Sequence, residues 1–148
     1  MKMVTLGKTG ITVPQNAFGA LPVQRISKEE AVHLLRKAYE GGMRYFDTAR
    51  AYSDSEEKVG EAFKEMRDKV YIATKTAATT PEDFWKDLET SLEKLQTDYI
   101  DVYQFHCVGQ CYKPGDGTGM YECMLEAKKQ GKIRHIGVTA HKIGIAYE

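Results

Sequence analysis

Neither sign of charge is in excess in this chain, where 21 Lys and Arg are balanced by 21 Asp and Glu. Without a net field to draw in a polyanion, nucleic acid is set aside as a partner. Long apolar runs are also missing. The N-terminus places Lys2 and Lys8 beside Gly7 and Gly10 where an export signal would carry its apolar core. Nowhere does an apolar stretch approach the roughly 20 residues of a membrane span. No membrane partner and a cytoplasmic location are therefore expected. Cysteine is scarce, with only Cys107, Cys111 and Cys123. An odd number of thiols without an export signal argues for free structural thiols in a reducing compartment. The spacings C-x3-C and C-x11-C match no compact zinc pattern, and a tetrahedral site would need a further ligand such as His106 or His135. No metal is assigned. One glycine is absent where it would matter: Gly7-Lys8-Thr9 has the end of a phosphate loop, but Lys2 stands where that motif needs its first glycine. An ATP site is excluded there.

What is present is a repeat of two kinds of segment. Val4 to Leu6 and Ile11 to Val13 alternate apolar and polar residues around a glycine-bounded turn, as a β-hairpin does, and Pro14 ends it. Short apolar runs then alternate with segments whose apolar residues recur every three or four positions. Strands are predicted over Ala17 to Leu21, Arg44 to Thr48, Val70 to Lys75, Tyr99 to Phe105 and Lys132 to Val138. Between them, Ser27 and Glu30 form a capping box that opens a helix with Ala31, Leu34, Leu35 and Ala38 facing inward. Gly41 and Gly42 stop that helix. A second helix runs from Ser55 to Met66 with Val59, Ala62, Phe63 and Met66 on its core face. Thr80 and Pro81 start a third, carrying Phe84, Leu88, Leu92 and Leu95. A fourth spans Tyr121 to Gln130, after a glycine-rich connection from Tyr112 to Gly119 that could also cover a bound substrate.

Short strands joined by helices run parallel, because the right-handed crossover returns each in the same direction. The fold class is α/β, with about five βα units and an N-terminal hairpin. Periodicity alone leaves open whether the sheet is doubly wound or part of a barrel. A barrel typically has eight units and about 250 residues. Residues 1–148 then read as a single incomplete domain whose second half is absent, with open edges, an apolar inner face and possible self-association through those edges.

Asp47, Lys75 and His106 each stand at the end of a predicted strand, and Tyr52 follows Asp47 by five residues. Taken singly each has an ordinary role, as a cap, a solvated strand end, a half-exposed aromatic or a core histidine. Together they reach one rim of a parallel sheet, the rim where catalytic groups collect. Lys75 ends an apolar strand, so its charge needs a partner, and Asp47 is the candidate. Such a quartet suits reduction of a carbonyl. A phenol at Tyr52 gives a proton to the developing alkoxide, and the Lys75 ammonium favours the phenolate left behind. Asp47 keeps Lys75 charged, and His106 orients the carbonyl oxygen. Hydride has to come from a cofactor.

The segments Tyr45-Phe46-Asp47-Thr48-Ala49 with Tyr52, Ile72-Ala73-Thr74-Lys75, Gln104-Phe105-His106 and Ile133-Arg134-His135-Ile136-Gly137-Val138 resemble, in order, the strand-end motifs of the aldo-keto reductases. The opening Leu6-Gly7-Lys8-Thr9-Gly10 is similar to that family's plug over the barrel floor. The resemblance covers essentially the whole chain. It implies a (β/α)8 barrel of the TIM type, with Asp47, Tyr52, Lys75 and His106 as catalytic tetrad. NADPH or NADH is the implied hydride donor and a small-molecule aldehyde or ketone the substrate. It implies that Gly19 and Ala20 lie near the nicotinamide ribose with Asp47, and that Thr139 and Ala140 stand where the family usually holds the carboxamide with Ser and Asn. The family's pyrophosphate and adenosine contacts come chiefly from units six to eight, outside this sequence. Gly137-Val138-Thr139-Ala140-His141 resembles a branch whose longer members carry a C-terminal iron–sulfur cluster, but no cluster motif lies in this chain. Two other readings stand beside a reductase: a nicotinamide-nucleotide-binding regulatory module with little catalysis, and an inactive barrel fragment.

Overall fold

The computed structural model describes residues 1–148. The hairpin forms as the alternation predicts: β1 (Met3–Thr5) lies antiparallel to β2 (Thr12–Pro14). The Thr5 and Thr12 hydroxyls meet across it at 2.9 Å. Pro14 does not end the ladder before pairing but stands opposite Met3 at its margin, a place where a missing N–H costs nothing.

The first strand of the main sheet, β3, is only Phe18–Gly19, shorter than the predicted Ala17 to Leu21. Proline at position 22 fixes the backbone for a 3-10 turn over Pro22–Arg25, which takes the chain away from the sheet. Helix α1 (Lys28–Glu40) then opens on the full capping box. The Glu30 N–H donates to Ser27 Oγ and the Ser27 N–H donates to the Glu30 carboxylate. Ala31 and Leu35 are buried, but Leu34 is 43% exposed. Its direction explains this. Helix α2 packs on the flank of α1 that carries Lys28 and Arg36, where Lys28 meets Glu57 and Arg36 donates to Ala62 O. At 100° per residue Leu34 points to the other flank, where nothing in the chain covers it.

Strand β4 (Tyr45–Asp47) leads to α2 (Ser55–Phe63), which ends short of Met66. A 3-10 turn at Arg67–Lys69 intervenes before β5 (Tyr71–Thr76). Helix α3 (Pro81–Leu95) has Thr80 as its cap, with Oγ1 accepting from the Asp83 N–H, and buries Phe84, Leu88, Leu92 and Leu95 as the stripe predicts. Strand β6 (Ile100–Phe105), helix α4 (Met120–Lys129), strand β7 (Ile133–Val138) and a short α5 (Ile143–Tyr147) complete the chain. The connection before α4 is tied down. The Tyr112 ring packs at a tilt against Phe105, centroids 4.8 Å apart, and Glu122 accepts from the Gly115 N–H. No helix is long and apolar enough to cross a membrane.

The five main strands pair in the order β3-β4-β5-β6-β7, each parallel to the next. A doubly wound sheet reverses its strand order at a switch point, whereas a barrel adds every strand on the same side. The sequential order makes this part of a (β/α) barrel. The core lies between sheet and helices, where Phe46 packs on Phe63 at 4.4 Å and Phe84 meets Tyr103 edge-on at 5.6 Å. Helices α2 and α3 approach so closely that a Cβ on Gly60 would lie 2.7 Å from the Leu95 backbone.

The pleat sends alternate residues to the other face, which proves mixed rather than apolar. Tyr45, Tyr71, Val102, Gln104 and His135 on it are all half-buried. Polar groups suit a face that remains accessible and leads to the strand-end rim. At the opposite end of the strands, buried Asp101 accepts from the Ile72 N–H at 2.9 Å and from Arg67 Nη2 at 2.7 Å. Arg67 and Arg134 lie against the Tyr99 ring at 4.0 and 4.1 Å.

Candidate active site

Each group at the rim is placed by backbone pairing. Asp47 ends β4 opposite Ala73, Lys75 lies opposite Gln104 in β5 and β6, and His106 follows β6 directly. The chain leaving β4 stays tied to β5, since the Thr48 N–H donates to Ala73 O at 2.8 Å and the Arg50 N–H to Lys75 O at 3.0 Å. A turn then carries Tyr52, whose N–H donates to Ala49 O at 3.0 Å and whose carbonyl accepts from the Ser55 N–H at 2.8 Å.

Lys75 is 5% exposed, and its ammonium is matched twice. Nζ donates to Asp47 Oδ2 at 2.6 Å and to Thr48 O at 2.7 Å. The other Asp47 oxygen accepts from Gln104 Nε2 at 3.4 Å. Nζ stands 5.2 Å from the centre of the Tyr52 ring, within cation–π range. The Tyr52 ring meets the His106 imidazole edge-on at 5.6 Å. Burial pushes the His106 pKa below the usual imidazole range, and the Lys75 charge pushes the same way against a smaller opposing pull from Asp47. The structure thus brings the four rim residues together.

Of the other expected site residues, Ala20 is fully buried beside this cluster, its N–H donating to Asp47 O at 2.8 Å and its carbonyl accepting from Ser55 Oγ at 2.8 Å. Gly19 is exposed, with nothing within 4 Å of where a Cβ would stand. Thr139 follows β7 and uses its hydroxyl locally, accepting from the Cys107 N–H at 2.9 Å. Ala140 is half-buried next to it.

Sequence reasoning assigned no role to Glu56, which organises the wall behind the rim. It is 1% exposed, Oε1 accepts from Thr74 Oγ1 at 2.6 Å and Ser91 Oγ at 2.7 Å, and Oε2 pairs with Arg50 Nη1. A signal was available: Glu56 stands three residues before Val59 and seven before Phe63, on the apolar stripe of α2. Lys58 was missed in the same way. It is buried and its ammonium donates to Val23 O, Ile26 O and Asp54.

A family model described as the aldo/keto reductase family matches residues 15–148. The chain belongs to that family. Among curated relatives it is 34% identical to the aldo-keto reductase YhdN of Bacillus subtilis, over 97% of this chain and 48% of that protein. It is 39% identical to the methylglyoxal reductase DkgB of Salmonella typhi, over 87% of this chain and 48% of that protein. The chain thus spans about half the length of these relatives. Among solved structures, an aldo-keto reductase from Klebsiella pneumoniae in complex with NADPH superposes with a TM-score of 0.84 at 31% identity, over 97% of this chain and 51% of that one. Five sequential parallel strands of this aldo/keto reductase chain fit part of such a barrel, and its rim cluster lies within the matched residues.

Proposed function

We propose that residues 1–148 are one barrel domain's first five units and hold the carbonyl-reducing end of an NAD(P)H-dependent oxidoreductase that turns an aldehyde or ketone into an alcohol. The observation that carries this is Lys75: a buried ammonium, neutralised by Asp47, placed beside the Tyr52 ring with His106 on that ring's edge. Its positive charge favours the phenolate that remains when Tyr52 gives its proton to the developing alkoxide. Asp47 and Thr48 O hold the ammonium in place, and Gln104 holds Asp47 from the other side. His106, kept neutral by burial and by Lys75, has an N–H to offer the carbonyl oxygen.

The residues present fit the nicotinamide end of such a cofactor. Gly19 leaves open space beside Asp47, and Thr139 and Ala140 border the same rim. When bound, the cofactor supplies hydride. A small carbonyl compound of the kind DkgB is named for would be an apt substrate.

The test is Tyr52→Phe in the longest product of the gene. Loss of the proton donor is expected to lower kcat for carbonyl reduction by about a hundredfold or more, in line with the contribution typical of general acid catalysis. Activity within a few-fold of the parent would remove Tyr52 from the role.

A further inference from the structure

The three thiols of the chain differ sharply in surroundings. Cys123 is buried in α4, and burial pushes its thiol pKa up. Cys111 is half-buried with Sγ turned to Tyr112 O at 3.8 Å. Cys107 is exposed, and its Sγ stands 3.5 Å from His141 Nε2, itself exposed. The pair is held by backbone. Cys107 takes a left-handed conformation, φ +50°, which side chains other than glycine rarely adopt. It is fixed there because its N–H donates to Thr139 Oγ1 at 2.9 Å and the next residue's N–H, that of Val108, donates to Thr139 O at 3.0 Å. These two bonds join the turn after β6 to the turn after β7, and His141, two residues beyond Thr139, meets the thiol. A thiol next to an imidazole has a base within reach, the arrangement that activates sulfur nucleophiles. Neither Cys107 nor His141 takes part in the ion pairs of the rim cluster.

We propose that Cys107 and His141 form a covalent capture site for soft electrophiles of the α,β-unsaturated aldehyde and ketone class, at the mouth that His106 borders. With Nε2 of His141 unprotonated, the thiol proton passes to it as Sγ bonds to the β-carbon of the electrophile. The C=C π bond breaks and its electron pair moves to the carbonyl oxygen as an enolate. The proton then returns from His141 to the α-carbon. Nothing is oxidised or reduced, and no group leaves. The site takes a carbonyl compound by a route that needs neither hydride nor Tyr52, so it stands apart from the reduction proposed above.

The experiment uses the chain without cofactor and limiting methyl vinyl ketone, with peptide mass spectrometry reading the three cysteines separately. Cys107 is expected to be modified about tenfold faster than Cys111 and faster than free glutathione under the same conditions. His141→Asn, at an exposed position, is expected to bring the Cys107 rate down to that of Cys111. A Cys107 rate unchanged by His141→Asn would reduce the site to mere exposure and overturn the proposal. The glutathione comparison needs no variant, and a Cys107 rate at or below that of glutathione would overturn it as well. Neither result bears on carbonyl reduction, which the Tyr52→Phe assay reads independently.

Discussion

Replacing Glu56 by Gln keeps shape and volume and removes one charge, so it isolates what the buried carboxylate contributes. The amide oxygen can still accept from Thr74 and Ser91, but the amide nitrogen then faces Arg50, donor against donor. Breaking a buried ion pair by changing one partner costs roughly 3–5 kcal/mol. Arg50 is 19% exposed at its side chain, against 1% for Glu56, so water relieves part of the penalty and the low end applies, about 3 kcal/mol. For a domain of this size that corresponds to a fall in Tm of roughly 6–12 °C. Glu56→Leu also strands two buried hydroxyls and should cost about 5 kcal/mol. Urea denaturation followed by far-UV circular dichroism reads both values, provided the m-value is unchanged. A loss below about 1 kcal/mol for Glu56→Gln would mean that the carboxylate gains nothing from Arg50, and the account of the wall behind Tyr52 would fail.

Gly60→Ala puts a Cβ 2.7 Å from the Leu95 backbone and closer still to Lys94 O, so α2 and α3 must part; a loss of about 3 kcal/mol is expected, and a Tm within 2 °C of the parent would contradict the close approach. Burial pushes the Tyr45 phenol up to about 12, with the carboxylates of Asp47 and Asp101 adding to it. The unfolded chain therefore loses this proton first. The resulting stability is full below pH 10 and is lost as pH rises toward 12, so Tyr45→Phe should flatten the alkaline fall of the urea midpoint. An identical alkaline profile in the variant would count against the burial of Tyr45.

Elements defined by local chemistry were legible in the sequence. Ser27 with Glu30 and Thr80 with Pro81 announce α1 and α3 because a cap is made within four residues of itself. The four rim residues were legible because strand ends recur with the βα unit, which fixes height on the sheet without knowledge of packing. What failed was decided at longer range. Leu34 has the spacing of a core residue, but burial on a helix flank depends on which neighbour packs there. The inner face was expected to be apolar, although Tyr45, Tyr71, Gln104 and His135 were in the sequence at alternating positions. Glu56 stands in the polar first turn of α2, and its partners Thr74 and Ser91 come from two other elements. The meeting of Cys107 and His141 required a left-handed turn that no residue type there foretells.

The aspartate at position 101 carries a consequence for how the strands find their alignment. A parallel strand can slide only by two residues if its side chains are to keep their own faces, a shift of roughly 6.6 Å. Such a slide of β6 along β5 would pull a nearly dry carboxylate away from the Ile72 amide and the Arg67 guanidinium at one end. At the other it would separate Gln104 from Asp47. Misaligned states are penalised at both ends of the same strand, so the correct pairing of β5 with β6 is enforced by polar groups that contribute little apolar burial of their own.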